Sequence, residues 1–299
     1  MKALKIVLGL AVGLLIVGAI YVFAILVPSV DRDKNKVLPH DPYPVSAEAQ
    51  VLHDTLYIAD LHADSLMWRR NPETRNTRGH VDLPRLREGG VDFQIFSAVT
   101  KSPRGLNFDE NSADAPDDIA LLAKVQLWPL RTWDSIYERA AFLAQRLHKI
   151  AAKEKNNLVI AKTKSDMDQP EGVLVGLLLT EGAHPLEGKI ENIKRLYDEG
   201  YRAMGLQHFF DNELGGSMHG HSQAGLTEFG KEAVHEMERQ GILIDVSHSS
   251  VASVRDTLAI TENPIFISHG GTISDCPRTA NRNLPDDILT EIAAWLKLR

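Results

Sequence analysis

Cysteine is almost missing from this chain: 299 residues contain one, Cys276. A single thiol rules out an internal disulfide, a cysteine-rich zinc knuckle and an iron–sulfur cluster. A basic excess is missing too. Lys and Arg number 33 against 40 Asp and Glu, a net charge of −7, so nothing is left over to neutralise a phosphate backbone and a nucleic-acid partner is not expected. No glycine-rich phosphate loop follows the first strand pattern, which weighs against a nucleotide-binding sheet. Internal repeats and low-complexity tracts are absent. What remains is 43% hydrophobic and 24% charged, the composition of a folded protein, and long enough for one large α/β domain or two smaller ones.

One long run stands apart. Ile6 to Val27 carries no charge, and at about 1.5 Å per residue a helix of that length spans roughly the 30 Å of a bilayer's hydrocarbon core. Lys2 and Lys5 precede it. A cleaved signal peptide is the alternative, but it has a shorter apolar region of about 7–15 residues and a small-x-small cleavage site; Leu26-Val27-Pro28-Ser29-Val30 offers none. Residues 1–5 are therefore expected to be a short tail and 6–27 a transmembrane anchor. Residues 28–45, with Pro28, Pro39 and Pro42, are expected to be a polar stalk, and 46–299 the functional domain. Positive charges on the two sides are nearly balanced: Lys2 and Lys5 against Arg32, Lys34 and Lys36. The expected placement is extracytoplasmic, because an N-terminal anchor usually serves export.

In the rest, short apolar runs alternate with helical periodicity. The runs are Leu56–Asp60, Phe93–Val99, Val173–Thr180, Arg202–Gln207, Ile242–Ser247 and Pro264–Ser268. Ile136, Ala140, Leu143, Leu147 and Ile150 trace one face of a helix. Asp82 suits the cap of a short helix at Leu83-Pro84 that stops at Gly89-Gly90. Further helices are expected over Ile190–Glu199, Thr227–Gln240, Val251–Thr261 and Asp286–Leu296. Alternating βα units imply a parallel sheet with helices outside it, either a (β/α)8 barrel or an open doubly wound sheet.

Chemistry gathers where these strands end. His62 and Asp64 lie two apart and share a face of an extended chain. Glu181 follows the third strand, His208 the fourth, His248 the fifth and His269 the sixth. Alone, each histidine reads as an ordinary structural group. Together, at strand ends that converge on one mouth, they read as a metal site. His62, Asp64, Glu181, His248 and His269 make five ligands, more than one tetrahedral ion takes, and two ions with Glu181 between them account for all five. His219-Gly220-His221 sits in a Gly/Ser-rich loop and is expected to be solvated, with a substrate loop as the alternative. Trp128 and Trp133 are expected to pack, with a site wall or dimer contact as the alternative. Asp114, Asp117 and Asp118 read as a solvated acidic cluster.

Seven motifs occur in order: Asp60-x-His62-x-Asp64, Asp82-Leu83-Pro84-Arg85-Leu86-x-x-Gly89-Gly90-Val91, Glu181-Gly182, Gly225-Leu226-Thr227-x-x-Gly230, Leu243-Ile244-Asp245-x-Ser247-His248, Ser268-His269 and Arg282-Asn283-Leu284-Pro285-Asp286-Asp287. From about Leu52 to Ala294 the chain resembles the membrane (renal-type) dipeptidase family of zinc metallopeptidases, peptidase family M19. The resemblance implies a distorted TIM barrel and hydrolysis of dipeptides by a hydroxide bridging two Zn2+ ions. It implies one zinc on His62, Asp64 and Glu181 and the other on Glu181, His248 and His269. His208 is then expected to contact substrate at the scissile centre and Arg282 to bind its carboxylate, with Arg278 as the alternative; a homodimer is also implied. The family's barrel has eight strands and six are read here. The expected fold is thus a TIM-barrel-like (β/α)8 metal hydrolase fold that stops after the sixth strand, behind one transmembrane helix. The rival readings are another amidohydrolase-like metal hydrolase and an inactive truncated barrel that binds metal without turnover. Against the former, no strand ends in a lysine that could be carboxylated.

Overall fold

A computed structural model describes residues 2–154, 157–275 and 282–297. Cys276 and Arg278 lie outside the described residues. The N-terminal helix α1 (Lys2–Ile20) continues through a π-helical stretch (Tyr21–Leu26) into α2 (Val27–Lys34). The whole has a mean hydropathy of 2.9 over its most apolar window and buries none of it in the protein. It does not stop at Val27: Pro28 falls in the first turn of α2, where a missing N–H costs nothing, so the head of the expected stalk is helical.

Asp31 in α2 pairs with Arg78 and lies 3.5 Å from Arg70. Asn35 accepts from Arg70 at 2.9 Å. These contacts fasten the helix to the 70–79 loop. That loop is itself tied to Lys153 through Glu73, at 2.9 Å, and to Glu88 through Arg75, on residues that lead into the starts of two strands.

Helix α3 (Ala47–His53) leads into the sheet. Its strands are β1 (Ile58–Ala63), β2 (Val91–Val99), β3 (Leu158–Ile160), β4 (Leu174–Glu181), β5 (Tyr201–Gly205), β6 (Leu243–Asp245) and β7 (Ile265–Phe266). All pairings are parallel, in the order β1-β2-β4-β5-β6-β7. β3 is a correction to the six strands expected. It pairs with the start of β4, Leu158 opposite Leu174. β2 runs along one edge of β4 throughout, so β3 and β5 share the other edge in succession. Three residues are too few to show a period against the loop around them.

The helices are α4 (Leu83–Glu88), α5 (Asp118–Val125), α6 (Ile136–Lys153), α7 (Glu191–Asp198), α8 (Glu228–Gln240), α9 (Val251–Ile260) and α10 (Asp286–Lys297). Their starts follow the capping logic. Thr227 accepts from Gly230 N–H at 2.9 Å, and α8 stops at Gly241 with φ +75°.

Strand alternation divides two cores. Phe93, Ile95, Val175, Leu177, Leu179 and Ala203 pack on the inner face. Phe96, Leu174, Leu178, Met204 and Ile244 pack outward against the helices. Glu181 continues the inner-face series 175–177–179, so the alternation that buries the leucines also points its carboxylate into the mouth. The sheet is a partial barrel: among the described residues β1 and β7 are unpaired with each other. It curls far enough that the rings of His62, in the last residues of β1, and His269, past the end of β7, stand 3.9 Å apart.

Candidate metal centre

Each functional side chain sits where a parallel strand stops. His62 and Asp64 leave β1, and Glu181 ends β4. Gly182 turns the chain with φ +78°; a Cβ there would stand 3.1 Å from His208 Cβ, so only glycine lets the end of β5 approach so closely. His208 follows β5, His248 follows β6, and His269 follows β7.

One cavity of about 390 Å³ is lined by His62, Asp64, Glu181, His208, His248, His269 and Arg282, which brings every expected site residue together. Glu181 is its centre. His248 Nε2 lies 3.0 Å, His208 Nε2 3.2 Å and His269 Nε2 3.5 Å from its Oε1. His62 Nε2 lies 3.6 Å from its Oε2 and 3.3 Å from Asp64 Oδ1. The donor atoms group as His62, Glu181 and His269 on one side and Glu181, His208 and His248 on the other, with Glu181 in both.

Several of these atoms have no hydrogen bond. His62 Nε2, Asp64 Oδ1 and Glu181 Oε2 are buried without a hydrogen bond and meet only one another at ion-pair distance, a cluster that a cation would satisfy. His248 Nε2 and His269 Nε2 face each other at 3.0 Å, a contact that needs either a proton or a cation between the two nitrogens. Imidazole nitrogens and carboxylate oxygens are the donor set of a divalent zinc-like ion, and the residues present fit one.

Electrostatics agree with that centre. Burial works against a charged His62, yet Asp64 and Glu181 push its pKa up to about 11. Burial likewise opposes Glu181's charge, and His208, His248 and His269 outweigh it, holding the carboxyl well below its usual range. Burial and the neighbouring Glu181 raise Asp64. Burial pushes His248 well down. Burial opposes a charged His208 too, but Glu181 raises its pKa. Arg282 is lowered by burial, with Glu181 and Asp245 acting the other way, and its Nη1 is buried with no partner.

Other members of the site stood in the sequence only as letters of its motifs, with no role assigned to them. Asp245 accepts from Ser247 Oγ at 2.6 Å, from Ser268 N–H at 3.1 Å and from Ser268 Oγ at 2.6 Å. Ser268 Oγ in turn stands 2.8 Å from His269 Nδ1 and 3.4 Å from His62 Nδ1. A hydroxyl that donates to Asp245 accepts from the imidazole. His269 then carries its proton on Nδ1 and turns a bare Nε2 to the centre. Lys101 C=O, 3.1 Å from His208 Nδ1, fixes that ring in the same way. Phe209 stacks on His219 with centroids 4.7 Å apart and stands 5.2 Å from His248.

His219 is a correction. The Gly/Ser-rich loop suggested solvent, yet the ring is fully buried and Phe108 C=O lies 2.7 Å from its Nδ1; burial drops its pKa to about 4. His221 is exposed, 3.3 Å from Glu110. Asp117 is not simply solvated either: it caps α5 and pairs with the buried Arg139.

The family model of the membrane dipeptidases, peptidase family M19, matches residues 46–295. The chain belongs to the membrane dipeptidase family. Among curated relatives, Dipeptidase verJ of Clonostachys rogersoniana is 28% identical over 232 residues, which are 74% of this chain and 54% of that protein. The chain thus spans about half the length of the curated relative it matches. Among solved structures, the probable dipeptidase PvdM from Pseudomonas aeruginosa aligns with a TM-score of 0.64 at 18% identity, over 82% of this chain and 59% of that one. A metallopeptidase from Rhodobacter sphaeroides, solved with a phosphinate mimic of the dipeptide L-Ala-D-Ala, aligns with a TM-score of 0.61 at 22% identity, over 81% of this chain and 72% of that one. Over the parts that align, both share this chain's parallel α/β fold.

Proposed function

We propose that this M19 chain is a membrane-anchored zinc dipeptidase. The observation that carries the reading is Glu181, a buried carboxylate with four imidazole nitrogens converging on its two oxygens. His62, Asp64 and Glu181 would hold one zinc and Glu181, His248 and His269 the other. When bound, such a pair supplies a Lewis acid and lowers the pKa of water to near neutrality.

The chain's own residues do the rest. Arg282 offers a buried, unpartnered guanidinium N–H to the substrate's C-terminal carboxylate, a planar fork for a planar anion. Its burial strengthens the pairing by excluding competing water. His208 keeps one proton on Nδ1, donated to Lys101 C=O. Its Nε2 faces the cavity, 3.2 Å from Glu181, and when protonated can donate to the oxyanion that develops at the scissile carbonyl. Val99, Leu106, Phe108 and Ile119 form the apolar part of the cavity wall and suit the side chains of a small dipeptide.

Residues 6–27 serve as the anchor and 46–299 as the hydrolytic domain. The helix is fastened to a loop tied to the strands' starting ends, so the mouth opens away from the anchor; an extracytoplasmic placement rests on the export role usual for an N-terminal anchor.

Chelator-sensitive hydrolysis of L-Ala-D-Ala by the zinc-loaded chain is the expected result. Glu181→Gln should lose zinc from both positions, measured by metal analysis after gel filtration, and with it the activity. Full zinc retention in that variant overturns the shared-ligand assignment. Zinc retention by the wild type without turnover of any dipeptide overturns the activity.

A further inference from the structure

A second cavity, of about 200 Å³, is lined by Arg69, Gln126, Leu127, Trp128, Phe142 and Arg146. It lies outside the metal centre and shares no lining residue with it. Two of its six lining residues are guanidinium groups and none is acidic. Among the described residues, no ion pair joins Arg69 or Arg146 to a carboxylate. Burial alone lowers Arg146, to about 10, so its charge is held without a counter-ion. Gln126 is 6% exposed and its side-chain oxygen has no hydrogen-bond partner. The rings of Trp128 and Phe142 lie with centroids 5.1 Å apart, tilted at 45°. Leu127 stands at the rim, 59% exposed, with φ at +57°.

These groups ask for three things in one ligand: a carboxylate for the guanidinium fork, an N–H donor for the orphan amide oxygen, and an apolar body for the rings. The cavity is smaller than the ~300–1,000 Å³ that drug-sized ligands occupy, which limits the ligand to a small molecule. We propose that this cavity binds a free apolar α-amino acid, its carboxylate on Arg146 and Arg69, its ammonium on Gln126 and its side chain on Trp128 and Phe142.

The site also touches the metal centre indirectly. Arg146 Nη2 donates to Trp68 C=O at 2.7 Å, and Nη1 donates to Leu66 C=O. These carbonyls flank Met67, which lines the first cavity, in the turn that begins at Asp64. An occupant that draws on Arg146 therefore pulls on the segment carrying one proposed metal ligand. Since dipeptide hydrolysis releases free amino acids, the site would sense product; that last step alone rests on the proposed activity.

The test is calorimetric titration of the full chain, metal-free and in detergent, with L-phenylalanine. Phenethylamine, which lacks the carboxylate, and phenylacetate, which lacks the ammonium, serve as the comparison ligands. Saturable binding of the amino acid is expected at millimolar concentration or below, and both comparison ligands should bind more weakly. Arg69→Ala removes an exposed side chain, and Gln126→Leu keeps volume while deleting the amide. Each should weaken binding about tenfold or more, the scale of one charge-assisted contact. Arg282→Ala, in the first cavity, should leave it unchanged. Absence of saturable binding overturns the proposal. So does binding that is lost in Arg282→Ala yet retained in Arg69→Ala and Gln126→Leu, because the amino acid then sits in the first cavity. The readout is binding to a metal-free chain, so lack of dipeptidase activity would not alter it.

Discussion

Ser268 shows how much of a metal site lies behind its ligands. Its hydroxyl joins the buried carboxylate of Asp245, 2.6 Å away, to the Nδ1 atoms of His269 and His62. Without it the His269 tautomer is free to invert and the ring to turn. Ser268→Ala is therefore expected to bind zinc 10–100-fold more weakly while its circular dichroism stays that of the wild type, measured by competition with a chromophoric chelator. Wild-type affinity in this variant would show that packing, and not this hydroxyl, orients the ring. That residues 62, 64, 181, 248 and 269 would meet in one mouth was legible because strand ends marked all of them. Ser268 and Asp245 were legible only as letters in a motif, since a serine two positions past a strand announces no partner. His219 was misread for the same reason: glycine and serine nearby describe the loop's backbone freedom, not the neighbours that bury it.

At the scale of the element, Asp82 is the clearest case of a local signal that holds. It caps α4 by accepting from Arg85 N–H at 3.0 Å, and its carboxylate also takes Arg85 Nε at 2.9 Å and Asn76 N–H at 2.9 Å. Burial opposes its charge, but Arg85 and the two backbone donors outweigh it and hold its pKa below the ordinary 3.8. A carboxyl with a depressed folded-state pKa stabilises the protein above its unfolded pKa and loses that contribution as pH falls through the folded value. Asp82→Asn should therefore cost about 1–3 kcal/mol at pH 7, read by urea denaturation. The gap to wild type should narrow as pH drops below about 4. A gap constant with pH would show that the carboxylate's charge contributes nothing. Helices with caps and long periods, such as α6 and α8, were legible for this reason. β3 was not, because three residues beside β4 are strand only by virtue of their partner.

For the whole molecule, the proposed metal centre would act as a clasp. His62 and Asp64 come from the first strand and His269 from the last, and the described sheet does not join those strands by hydrogen bonds. Ions bound there link the two ends of the path to Glu181 in its middle. Binding confined to the folded state stabilises by RT ln(1 + [L]/Kd), about 2.7 kcal/mol at a hundredfold excess over Kd. Zinc should accordingly raise the melting temperature with concentration, and a chelator should reverse it. A midpoint indifferent to zinc would show that the centre is empty in the folded chain or equally occupied in the unfolded one.

The sequence by itself determined the apolar N-terminal helix, the alternation of strands and helices and the parallel sheet. All of these depend on short-range rules: charge-free length, periods of two and 3.6, and caps. The positions at which strands stop are just as local, and parallel strands all end on the same side. Only the tertiary structure decided that β3 and β5 share an edge, that the sheet curls until His62 meets His269, and that Asp245 and Ser268 stand behind the imidazoles. It also decided that His219 lies inside and that a second, acid-free cavity sits beyond the Asp64 turn. Those outcomes depend on contacts between residues tens to hundreds of positions apart. They follow from how the layers pack, which no local spacing records.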